Sequence, residues 1–63
     1  MKNNTLYNLM TQLTQESRSL WRIKNQYQKD AKSKELKAFW KELATEKELL
    51  IEDLKIIIKA EME

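Results

Sequence analysis

Two apolar stripes, each repeating every seven residues, run through this 63-residue chain, and the offset between them limits what it can fold into. In the first half Leu6, Leu13, Leu20 and Tyr27 fall seven apart, with Leu9, Met10 and Ile23 at the intervening steps of three or four. Leu36, Leu43, Leu50 and Ile57 repeat the pattern in the second half, with Phe39, Trp40 and Leu54 between them. Leu36 follows Tyr27 by nine steps along the chain. Nine steps of ~100° turn the face by roughly 180°. A single straight helix would carry the stripes on opposite sides, so either the chain turns between them or two faces serve two partners.

Gly and Pro are both absent, which removes the usual turn residues and leaves helix as the conformation for nearly the whole chain. The polar segment Lys29-Asp30-Ala31-Lys32-Ser33-Lys34 is the natural place to turn, with Asp30 or Ser33 available to cap the second helix and Asn3, Asn4 or Thr5 the first. If the chain folds about its midpoint, residues whose numbers sum to 63 face each other. The pairs are then Leu6 with Ile57, Leu13 with Leu50, Leu20 with Leu43, Ile23 with Trp40 and Tyr27 with Leu36, all apolar. Charge agrees with this pairing: residues 1–34 carry seven Lys and Arg against two acids, and residues 35–63 carry five Lys against eight acids. Opposite signs in the two halves favour packing one on the other, weakly and less so in salt.

The expected fold is therefore all-α: a single domain over residues 1–63, an antiparallel two-helix hairpin with helices over about 5–29 and 35–61 and a turn over about 30–34. So short a chain buries little surface alone, and with no Cys and no His neither a disulfide nor a thiolate- or imidazole-held zinc can staple it. Leu49, Leu50, Ile51, Leu54, Ile56, Ile57 and Ile58 cover more than half the circumference of the second helix, more than one partner helix can hide. Closure by a second copy into a four-helix bundle follows as the expectation. Leu6, Met10, Leu13, Trp21, Trp40, Leu50, Ile51, Leu54, Ile57 and Ile58 are the residues expected at its core and interface.

Several function classes drop out on residue type. Without His no Ser or Cys nucleophile has its usual base, and without Gly no phosphate-cradling loop forms, so catalysis is not expected and no cofactor is implied. Arg18, Arg22, Lys24, Lys29, Lys32 and Lys34 with Tyr27 make a basic cluster toward the turn, read here as a solvated face. Nucleic acid is accordingly not an expected partner. The N-terminus lacks a secretory apolar stretch and no run is long enough to span a membrane, so a cytoplasmic protein is expected.

Two acids occupy stripe positions: Glu16, between Leu13 and Leu20, and Glu46, between Leu43 and Leu50. Inward carboxylates are costly unless paired or metal-bound, and by the midpoint rule Glu16 faces Lys47. Glu16-Ser17 in the first helix, followed by Phe39 through Leu50 in the second, resembles one helical hairpin of a ferritin-like, rubrerythrin-type bundle. That family binds two irons through a Glu on the first helix and a Glu-x-x-His on the second, which implies Glu16 and Glu46 as metal ligands here, with Leu49 standing where the His belongs. Three functions follow: a self-associating interaction or assembly protein; a carboxylate metal-binding module of ferritin-like type, working or vestigial; and a regulatory module that docks another protein on its C-terminal apolar surface.

Overall fold

A computed structural model describes the backbone of residues 2–63 and the side chains of residues 4–63. The chain is all-α, with no strand among the described residues. Helix α1 (Lys2–Arg22) passes into a π-helical segment (Ile23–Tyr27) and a last short α-helical stretch, α2 (Gln28–Asp30), which together make the first arm. Helix α3 (Lys34–Met62) is the second. Ala31 leaves the first arm at φ −67°, ψ 130°. Ser33 opens the second at φ −100°, ψ 156°, its hydroxyl oxygen accepting from the Leu36 N–H at 3.0 Å. No described residue has a positive φ, so the chain reverses through extended residues and needs no glycine. Of the two expected caps Ser33 is the one used, while Asp30 ends the first arm inside the helix. Asn3, Asn4 and Thr5, expected to cap α1, lie within it, since α1 already runs from Lys2.

The first arm meets the second along Leu6, Leu9, Leu13, Glu16, Leu20, Ile23, Gln28 and Ala31, which are half-buried or buried. The spacing is three and four until Ile23 and then five. That long step is the π turn, in which the Gln28 N–H bonds the Ile23 carbonyl and one turn absorbs an extra residue. Ile23 becomes the most deeply buried large side chain. Tyr27, the expected end of the stripe, is rolled off the seam and lies against Trp40 instead, ring centroids 4.9 Å apart, with Phe39 packed edge-on to Trp40 at 5.1 Å.

On α3 the residues facing the first arm are Trp40, Ala44, Lys47, Ile51, Leu54 and Ile58. Of the expected seam Trp40 and Leu54 are in place, while Ala44, Ile51 and Ile58 stand in place of the expected Leu43, Leu50 and Ile57, a rotation of about half a residue step, ~50°. Leu36, Leu50 and Ile57 are exposed at 43, 41 and 45 %. Electrostatics supplies a reason: turning that stripe inward would also turn Glu46 inward, toward the Glu16 carboxylate. The seam adopted presents Lys47 instead, and small Ala44 lets the arms come close.

Burial is confined to one line. The buried side chains are Ile23, Ala31, Ala44, Ile51, Leu54 and Ile58. The molecule measures 47 × 15 × 13 Å with a radius of gyration of 14.4 Å, against about 10.6 Å for a compact domain of this length.

Candidate functional site

Glu16 and Lys47 meet at the middle of the seam. The Lys47 Nζ lies 2.6 Å from Glu16 Oε1, and the Gln12 side-chain amide donates to Oε2 at 2.7 Å. Both carboxylate oxygens are therefore engaged. The side chains are 13 % (Glu16) and 23 % (Lys47) exposed, so the pair is shielded from solvent without being dry. Hydrogen bonding from Lys47 holds the Glu16 carboxyl below its ordinary value of 4.5, against the opposing effect of burial and with help from Gln12 and the Lys47 charge.

Glu46 is not part of this arrangement. It is exposed, one step round α3 from Lys47, and borders a shallow depression with Phe39, Glu42 and Leu43. The two acids that the ferritin-like resemblance pairs as ligands thus have different surroundings, one occupied in the seam and one on the outer surface. Among the described residues no three potential metal-ligating acids gather at one point.

The ten residues assigned from sequence to one core and interface divide three ways. Leu6, Leu13, Trp40, Ile51, Leu54 and Ile58 are half-buried or buried between the arms of the same chain. Leu50 and Ile57 are exposed on one flank of the seam, in line with Leu36 and Leu43. Met10 and Trp21, 51 and 57 % exposed, fall by helical phase on the opposite flank. A partner seated on one flank therefore cannot cover all four exposed side chains. Residues seven apart are equivalent on a helix surface, and this is why the sequence could not tell an inward stripe from an adjacent outward one.

The basic cluster is also rearranged. Lys24 and Lys29 line a groove with Lys37 and Lys41 of α3, residues that sequence reasoning did not connect with them; Arg18, Arg22, Lys32 and Lys34 are not part of it. The signal that would have found Lys37 and Lys41 is their four-residue spacing on the side of α3 away from Leu36 and Leu43. No helix among the described residues is long and apolar enough to cross a membrane.

The chain matches no family model, and comparison with curated proteins and with solved structures likewise finds no match.

Proposed function

We propose that this is a self-associating helical module that completes its core by packing the Leu36, Leu43, Leu50 and Ile57 stripe of α3 against the same stripe of a second copy, giving a four-helix assembly with an interaction or scaffolding role. The observation that carries the reading is an apolar heptad beside the seam, with Leu36, Leu50 and Ile57 each more than two-fifths exposed and Leu43 half-buried among them. Seven-residue repeats of this kind are the pattern with which helices pack on helices. Surface area supports it too. The 7.6 kDa chain exposes 5261 Å², roughly 1,000 Å² more than a compact monomer of that mass, and a stable interface takes about 800 Å² from each partner. A two-fold axis would set identical stripes together without an open edge.

Sedimentation equilibrium over micromolar to millimolar concentration tests the reading. The expected result is a dimer that Leu50→Glu converts to a helical monomer. A wild-type chain that stays monomeric throughout and unfolds cooperatively at a concentration-independent temperature overturns it, as does a dimer that Leu50→Glu leaves intact.

A further inference from the structure

On the flank of the seam away from the apolar stripe, four lysines surround one groove. Lys24 and Lys29 come from the first arm and Lys37 and Lys41 from α3, around a space of about 650 Å³. Small-molecule sites have volumes of about 300 to 1,000 Å³. Lys29 reaches this side because of the π turn: five steps of an uninterrupted α-helix would set it ~140° away from Lys24. Glu48 is the one acid on the lining, and it is already 2.6 Å from Lys24. Among the described residues Lys29, Lys37 and Lys41 take part in no ion pair. Lys37 and Lys41 stand four apart on one helix, a spacing at which like charges repel, and two more cations face them across the groove. An anion seated between the walls relieves that repulsion.

The donors define the anion. Ammonium groups are compact point charges suited to phosphoryl oxygens, and the Gln28 side chain adds an uncharged donor on the lining. The Thr45 hydroxyl donates to the Lys41 carbonyl and so holds no proton for a ligand. Extent argues for a short ligand. One turn beyond Glu48 the same side of α3 presents Glu52, and residues 35–63 as a whole carry eight acids against five lysines, so a long polyanion continuing along the molecule would run into like charge. We propose that this groove binds a compact polyphosphate anion, one carrying two or three linked phosphoryl groups.

Titration of the intact protein with sodium tripolyphosphate, followed by calorimetry and by amide chemical shifts, tests the proposal. Saturable binding with one site per chain is expected, with shifts centred on Lys24, Lys37 and Lys41. Lys37→Gln/Lys41→Gln should weaken it by about tenfold or more, whereas Lys37→Arg/Lys41→Arg should retain it. Lys55→Gln/Lys59→Gln, which removes the same charge outside the groove, should leave the affinity unchanged. The proposal is overturned by absence of saturable binding, by equal weakening in the Lys55→Gln/Lys59→Gln control, or by a short oligothymidylate binding more tightly than tripolyphosphate at the same salt.

Discussion

Glu16 and Lys47 illustrate how a polar pair selects among apolar arrangements. Attraction between two partly buried charges is largely offset by the water each gives up, so the pair adds little net stability, while either charge left alone is expensive. Lys47→Met should therefore cost up to about 3 kcal/mol, at the low end for broken buried pairs because both side chains keep some access to water. The double change Glu16→Leu/Lys47→Leu should be neutral or stabilising, and chemical denaturation of the three proteins measures both. The pH dependence has a definite sign. A carboxyl held below 4.5 in the folded state favours folding in its ionised form, so its contribution is complete above that value and is lost as the pH falls through the lower folded value. The difference in melting temperature between wild type and Glu16→Gln should be constant near neutrality and shrink as the pH drops below 4.5.

At the scale of elements, the π turn is an insertion absorbed locally. The seam advances five residues from Ile23 to Gln28 in place of four, and the chain on either side keeps its face toward α3. Deleting Asn25, inside the π turn, should convert it to ordinary α-helix with the seam preserved, changing stability by no more than about 1 kcal/mol. Deleting Thr14 from regular α1 should instead rotate every residue on one side of the cut by ~100° and cost about 2 kcal/mol or more in lost packing. Thermal unfolding of the two deletion proteins separates a tolerated insertion from a required residue. The turn after α2 has its own local logic: Ser33 supplies an acceptor for a free amide at the start of α3, and extended backbone at Ala31 and Ser33 replaces the glycine that helix ends often use.

As a whole molecule the protein is a thin rod, 47 Å long and 15 × 13 Å across, the breadth of two helices packed side by side. One seam buries one side chain per turn or so, and neighbouring apolar residues stay in water. Truncations should reveal this division. Ile51→Ala, inside the chain, should destabilise by about 2 to 5 kcal/mol at any concentration. Leu50→Ala should cost little in dilute protein and acquire its effect only where copies associate, so its penalty should grow with concentration in melting experiments.

Much of this was determined by the sequence alone. The absence of Gly and Pro with two heptad stripes makes the chain helical, the polar stretch before Ser33 places its turn, and Glu16 with Lys47 sets which residues meet midway. Periodicity encodes which residues share a face, and charge encodes which faces attract. The tertiary structure decided which of two adjacent stripes on α3 turns inward, because Leu50 and Ile51 are equally apolar, and the choice between them brings Leu43 with Glu46, or Ala44 with Lys47, to the seam. It also decided the π turn. A sequence read at a constant 3.6 residues per turn carries Tyr27 into the seam after Ile23, whereas the packed arms keep Ile23 there, follow it with Gln28, and send Tyr27 to Trp40 and Lys29 to the lysine groove.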